Sequence, residues 1–310
     1  MSQVTLEKEA PVVAPPSRSA RRARRGFGPL PWIAPAVVLI LGVVVWPVIE
    51  MTITSFRRID ISGTDNGAAG FVKYQKLFDD PRFGSVLVWT VVWTVLVVGL
   101  TMLVSLGLAQ LFNQRFPGRR VARWALIAPW AASVLMTAIG FRWMLDQVAG
   151  VINRLFLDLG LIHSAVSWTG DAAHSKPWLI AVGVFVSVPF TTYTLLAGLQ
   201  TIPGEVYEAA QIDGASRWQT YRRITLPLLR PAFLVGLVIN LINVFNSFPL
   251  IWGMTNGGPN ADTATSTVFM YMLGQTDISE SAAMAVVNFA VVIVMVLFFL
   301  KVSRWNEEEG

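Results

Sequence analysis

Six stretches of this chain are long, apolar and nearly free of charge: 32–51, 86–112, 124–141, 178–199, 231–254 and 282–300. Glu50 is the only Asp, Glu, Lys or Arg residue inside them. Crossing about 30 Å of hydrocarbon takes roughly 20 helical residues, so each stretch can span a bilayer. A soluble domain carries roughly a quarter charged residues, whereas this chain has 14% charged and 54% hydrophobic residues. In hydrocarbon the backbone must satisfy its own hydrogen bonds, which leaves helices as the way to use such runs. The expectation is an all-α integral membrane protein with six transmembrane helices. Pro35, Pro47, Pro129, Pro189 and Pro249 lie inside these runs, where neighbouring helices can satisfy the freed carbonyls.

An even number of spans puts both termini on one side, and the basic residues choose that side. The tail before the first span, 113–123, 200–230 and the C-terminus together hold 16 of the 24 Lys and Arg residues. The intervening segments 52–85, 142–177 and 255–281 hold the other 8. The positive-inside rule then places both termini in the cytoplasm, as expected of a multi-pass protein of a cell membrane. The net charge of +5 reads as topology rather than as a face for nucleic acid. Without cysteine there are no disulfides and no thiolate metal sites.

Residues 1–29 are rich in Pro, Ala and Arg and hold too little apolar surface to fold, so they read as a disordered basic cytoplasmic tail. Arg21, Arg22, Arg24 and Arg25 suit a topology signal in contact with anionic membrane lipid. The apolar run that follows is too long for a cleaved leader and reads as an anchor. Residues 30–305 form the transmembrane domain, and 306–310, with Glu307, Glu308 and Glu309, a short cytoplasmic tail. Val148, Val151, Ile152, Leu155, Phe156 and Leu159 recur at helical spacing and predict a short helix along the outer interface. Asn256-Gly257-Gly258-Pro259-Asn260 is a breaker cluster, followed by a Thr-rich run.

Between the fourth and fifth spans lies a polar segment, 202–230, that membrane crossing does not explain. Pro203 suits a helix start, and Glu205, Glu208, Ala209 and Ile212 continue at helical spacing. Asp213-Gly214 ends that helix, since glycine readily takes the left-handed conformation of a C-terminal cap. Ser216 and Gln219 form a capping-box pattern for a second helix, which Pro227 is expected to close. The prediction is a cytoplasmic helix-turn-helix carrying Arg217, Arg222, Arg223 and Arg230, with Ala209 and Ala210 leaving one flat face. Read from periodicity alone, it fits a partner-binding element and an amphipathic linker on the inner leaflet equally well.

The run Glu208-Ala209-Ala210-x3-Gly214-x9-Ile224-x-Leu226-Pro227 resembles the EAA loop motif of permease subunits in binding-protein-dependent ABC importers. Ile202-Pro203, Asp213, Ala215 and Pro231 also resemble that family. The stretch Thr255-Asn256-Gly257-Gly258-Pro259 with Tyr271, and the N-terminal Pro35, Pro47, Ser55-Phe56, Phe71, Tyr74 and Asp80-Pro81-Arg82-Phe83, are similar to the carbohydrate branch. There they resemble the larger maltose-permease-type subunit, and the resemblance covers roughly residues 30–305. It implies a location in the inner or plasma membrane of a prokaryote. It further implies a second permease subunit, two ATPase subunits that hold ATP and Mg, and an external solute-binding protein. Glu208, Ala209, Ala210, Asp213 and Gly214 would then couple this chain to its ATPase. The chain would bind no cofactor and perform no enzyme chemistry.

The residues agree that ATP must bind elsewhere. None of Lys8, Lys73, Lys76, Lys176 and Lys301 follows a glycine, so the chain has no P-loop. His163 and His174 lack metal-ligand spacing, and no catalytic or metal-binding group is expected. For the solute pathway, polar residues inside spans are the candidates, because they are costly there. Asn240, Asn243 and Ser247 fall on nearly one face of the fifth span. Asn246 lies beside them, with Phe245, Phe248 and Trp252 as aromatic neighbours. Tyr193, among Thr191, Thr192 and Thr194, and Asn288 in the sixth span complete the set. Hydrogen bonding between helices is the competing role for each. Other solutes, such as glycerol phosphate or another polar metabolite, fit the same pattern. A secondary transporter would need charged groups within its spans, and a membrane scaffold would not need the polar stripe.

Overall fold

The computed structural model describes residues 30–304, so the expectations for the two tails lie outside the described residues. The described residues form two compact units, one ending at Pro47 and the other beginning at Val48. A first helix, α1, covers Trp32–Ser55. It contains a π-turn over Ile40–Val45, in which the Trp46 N–H reaches back five residues to Leu41 O. Pro47 follows directly, and the widened turn makes room for a ring that would press on the carbonyl four residues earlier.

After the end of α1 the second unit forms a small antiparallel hairpin, β1 (Arg57–Ile59) with β2 (Asp65–Ala68), which the sequence pattern does not announce. Helix α2 (Val72–Asp79) leads to α3 (Phe83–Asn113), then α4 (Arg119–Trp130), α5 (Val134–Met144) and α6 (Val151–Asp158). Next come α7 (Ala172–Gln200), α8 (Gly204–Ile212), α9 (Arg217–Phe245) and α10 (Phe248–Thr255). Helices α11 (Ser266–Gly274) and α12 (Ile278–Arg304) complete the described chain. Five helices are long and apolar enough to cross a membrane, and the bent pair α4–α5 makes a sixth crossing if taken as one span.

Two expected spans are broken. The run 124–141 is not one straight helix: α4 and α5 meet at 93°, with Pro129 in the last turn of α4 and Ser133 extended. The run 231–254 also divides, at Asn246–Ser247. Pro249 has no N–H to continue the helical ladder, and the chain leaves helical geometry just before it, at Ser247 with ψ 39°. At its other end this helix starts much earlier than expected. Pro227 does not stop it, because a second π-turn, Tyr221–Thr225, precedes the proline, with Leu226 N–H bonded to Tyr221 O.

Small residues let the helices approach closely, the usual device where apolar burial alone gives no drive. A Cβ at Gly253 of α10 would lie 2.9 Å from the Ala138 methyl of α5. At Gly183 of α7 it would lie 2.7 Å from the Trp93 ring of α3. Trp93, Leu179, Leu195, Ile251 and Phe269 have no exposed surface and form the centre of the core.

The hairpin and α2 are fastened to the start of α12. Ile59 N–H donates to Ser279 Oγ at 2.9 Å, and the Lys73 ammonium lies 2.6 Å from the Asp277 carboxylate. Lys76 reaches Asp277 at 3.5 Å and also pairs with Glu280, whose side chain is 3% exposed. The hydrogen bond that Lys76 donates to the Glu280 carboxylate raises the Lys76 pKa above its ordinary value. In the segment between the spans, Val151–Asp158 is helical, a shorter helix than the apolar spacing suggested. Asn256, Gly257, Gly258, Asn260 and Ala261 all have positive φ, so the breaker cluster is a tightly coiled loop.

Candidate functional site

The segment between α7 and α9 is a helix-turn-helix with both ends locked. Gly214 has φ +74°. Ala215 N–H bonds Ala210 O and Gly214 N–H bonds Gln211 O, the paired closure that an αL glycine permits at a helix C-terminus. Two residues on, Ser216 and Gln219 cap each other reciprocally, as their spacing predicted. Pro203 is the residue before α8 rather than its first helical residue. Glu208, Ala209, Asp213 and Gly214 are exposed. Ala210 is turned inward at 5% exposure, so the two alanines do not share one flat outer face. Ile212 at 86% and Trp218 at 66% exposure instead add large apolar groups to the free surface.

A cavity of about 530 Å³ lies where the two broken helices meet. Trp130 and Val134 come from either side of the α4–α5 bend, and Asn246, Ser247 and Pro249 from the α9–α10 break. Thr191 and Ser187 of α7, Trp93 of α3, and Asn240 and Asn243 of α9 close the remaining walls. None of the lining residues is charged. Irregular backbone at membrane depth is tolerated where it is buried in protein or lines a cavity. The α9–α10 break lines the cavity through Asn246 and Ser247, while Ala131, Ala132 and Ser133 at the α4–α5 bend are exposed and only their neighbours Trp130 and Val134 reach it.

Asn240 is 3% exposed, and its Nδ2 has no hydrogen-bond partner among the described residues. A buried amide donor left unpaired costs about 1–3 kcal/mol, so folding alone gives no reason for asparagine at this position. Asn246 Nδ2, by contrast, donates to Ile242 O at 3.0 Å within its own helix.

The cavity therefore gathers Asn240, Asn243, Asn246 and Ser247. Two other candidates lie elsewhere. Tyr193 Oη donates to Arg123 O at 3.3 Å, between α7 and α4. Asn288 donates to Ser266 O at 3.3 Å and lines a separate, largely apolar cavity with Thr90, Thr94, Leu241 and Phe245. Phe248 and Trp252 stack against each other and against Tyr271 at 4.8–5.9 Å, outside the cavity wall. Sequence reasoning missed Trp93, Ser187 and Trp130. The signal available for Trp93 was Trp89 one turn earlier: both indoles donate from α3 to backbone carbonyls, Thr263 O in a loop and Val244 O in the last turn of α9, each at 3.0 Å. No group of three His, Cys, Asp or Glu residues that could hold a metal occurs among the described residues.

Multi-span helices, a cavity at helix breaks and a rigid polar helix-turn-helix define a membrane permease. A family profile described as the binding-protein-dependent transport system inner membrane component matches residues 96–305. The chain is 37% identical over 278 residues to a probable ABC transporter permease protein of Brucella suis biovar 1, covering 89% of this chain and 96% of the relative. It is 33% identical to the sulfoquinovosyl glycerol transport system permease protein of Agrobacterium fabrum, covering 89% and 90%. The crystal structure of a bacterial ABC transporter that imports the acidic polysaccharide alginate contains a chain of the same fold. That match has a TM-score of 0.75 and 24% identity, and covers 88% of this chain and 94% of that one. The chain belongs to the family of inner membrane components of binding-protein-dependent transport systems. It is an ABC transporter permease subunit and not an enzyme.

Proposed function

We propose that this chain forms one half of the translocation pathway of an ATP-driven importer for a sugar or glycoside. In this reading a separate ATPase grips the exposed face around Glu208, Ala209, Asp213 and Gly214, with Ala210 holding α8 against the body. The observation that carries it is continuity: the helix-turn-helix is joined directly to α7 and α9, and both helices line the cavity. A push on a loop stiffened at Gly214 and Ser216 reaches the cavity wall without crossing a flexible joint.

The cargo class follows from the cavity's chemistry. Amides and hydroxyls without formal charge suit a polyhydroxylated solute, and the Agrobacterium relative is named for sulfoquinovosyl glycerol transport. The ATPase subunits hold ATP and Mg, since this chain has no P-loop. The excess of Lys and Arg in the loop and the terminal segments supports a cytoplasmic side for the loop and both termini. A solute-binding protein on the outer side fits the family's description. A second permease subunit would cover the open sides of the cavity, where Trp130 is 54% exposed.

Reconstitution into proteoliposomes tests this reading. Uptake of a glycoside is expected only with the partner permease, the ATPase, the binding protein and internal MgATP. Uptake driven by a solute or ion gradient in the absence of the ATPase would refute it.

A further inference from the structure

The break that brings Asn246 and Ser247 to the cavity wall rests on one buried side chain. In an unbroken helix, Val244 O would accept from Phe248 N–H, but that N–H donates to Asn246 O at 2.9 Å. Three other donors converge on Val244 O: Ser247 N–H at 3.3 Å, Ser247 Oγ at 2.7 Å and Trp93 Nε1 at 3.0 Å. Trp93 Nε1 also lies 3.1 Å from Ser247 Oγ. Trp93, Ser247 and Val244 thus close a triangle around the break.

The ring that carries this N–H cannot drift. Trp93 is fully buried, and α7 backs it at Gly183, where even a methyl group would come within 2.7 Å of the ring. The triangle and the amides share the same wall. Ser247 adjoins Asn246, and Val244 follows Asn243, so a shift at the break re-aims the side chains that face the solute.

We propose that Trp93 is a positioning residue for the solute pathway. Its indole N–H fixes the geometry of the α9–α10 break and so sets the direction of Asn243, Asn246 and Ser247 across the cavity. This rests on the cavity being the sugar pathway. Shape alone does not explain a tryptophan here, since phenylalanine would also fill much of the space against Gly183. The indole adds a donor for a carbonyl left outside the helical ladder, and it fixes the Ser247 hydroxyl as an acceptor.

The test uses the full reconstituted complex and a radiolabelled sugar that the wild type imports. Trp93 is replaced by β-(3-benzothienyl)alanine, which keeps the ring shape and loses the N–H, and in parallel by phenylalanine and, separately, Ser247→Ala is made. Each is expected to raise the KM for uptake about tenfold, the worth of one neutral hydrogen bond. Maximal rate should change less than twofold. The thermal unfolding midpoint should fall only slightly for the benzothienyl and Ser247→Ala variants, and further for Trp93→Phe, which also leaves unfilled core space. Gly183→Ala, which presses on the ring but leaves the N–H in place, should raise KM as well. A KM within twofold of wild type for the benzothienyl variant overturns the proposal; should that variant not fold, the same result for Ser247→Ala does so. A fall in maximal rate at unchanged KM also overturns it, since the residue would then act in the conformational cycle. Loss of ATP dependence in the wild type instead refutes the transport reading, and the inference falls with it.

Discussion

Gly198, near the end of α7, packs on Ala232 of α9 so closely that a Cβ at position 198 would overlap the Ala232 methyl group. These are the two helices that the helix-turn-helix joins. Their contact clamps the loop at its root, so that displacement of α8 moves both helices as a pair. Gly198→Val should therefore act twice. Overpacking costs about 1–3 kcal/mol, which lowers the thermal midpoint by roughly 2–4 °C per kcal/mol for a chain of this size. It should also splay the loop and weaken retention of the ATPase during purification, which a co-purification assay reads directly.

At the loop itself, Gly214→Val forces a β-branched residue to φ +74°. Left-handed backbone costs roughly 1–2 kcal/mol for a residue with a Cβ, and more for a branched side chain. Membrane insertion should be normal while ATP-driven uptake is lost. Ser216→Ala removes one arm of the capping box, at about 1 kcal/mol, and should leave partial coupling. Uptake and ATPase co-purification measured on the same preparations separate these outcomes.

The fastening of α2 to α12 has a defined pH window. Burial pushes the Asp277 carboxyl up, but hydrogen bonds from Lys73 and from Glu280 N–H, with the charges of Lys73 and Lys76, hold it below the ordinary carboxylate range. A lowered pKa in the folded state means the contribution is present above the unfolded value of about 3.9 and is lost as pH falls through the folded one. Lys76 is raised, so its contribution holds below about 10.4 and fades as pH rises through its folded value. Asp277→Asn should lower stability by about 1.5–3 kcal/mol, the range for a hydrogen bond to a charged group. Unfolding midpoints across pH should show a constant gap from wild type between pH 5 and 8 that closes below about pH 4.

Asn240 allows a stability and a transport role to be told apart. Its unpaired amide is a cost to folding, so Asn240→Leu should leave stability unchanged or raise it by up to about 3 kcal/mol. Transport should fall by at least about tenfold, the worth of one hydrogen bond to the solute. A thermal-unfolding scan beside an uptake assay checks both. Reduced stability with normal uptake would return Asn240 to a packing role.

The membrane class, the helical content and the helix-turn-helix were legible because each rests on local chemistry: uncharged runs, an αL glycine, and a Ser–Gln pair three apart. The Asn240–Asn243 pair was legible from spacing on one helix, whereas Ser247 lies past the end of α9 and reaches the same wall through the break. The breaks at 131–133 and 246–247 were not, because Pro129 and Pro249 lie among residues apolar enough to read as continuous spans. Whether proline kinks, breaks or is absorbed depends on the neighbouring backbone. Pro227 and Pro231 lie inside an unbroken α9 because a π-turn precedes the first of them. Tyr193 and Asn288 show the limit of reading polarity alone, for each reaches a carbonyl on another helix and neither lines the cavity. The Lys73–Asp277 pair joins residues 204 positions apart, and the Ile59–Ser279 bond that fastens the hairpin joins residues 220 apart, beyond any local pattern.

If the loop transmits the ATPase's push to the cavity wall as proposed, the cavity opens to opposite sides of the membrane in the nucleotide-free and ATP-bound states. The native chain has no cysteine, so Asn243→Cys creates a single reporter on the cavity wall. Its reaction with a membrane-impermeant thiol reagent can be followed from each side of oriented proteoliposomes, with the complex nucleotide-free and then trapped with ATP. The account predicts labelling from the loop side without nucleotide, and from the opposite side once ATP is trapped. Labelling that is indifferent to nucleotide, or that Gly214→Val leaves switching normally, would contradict it.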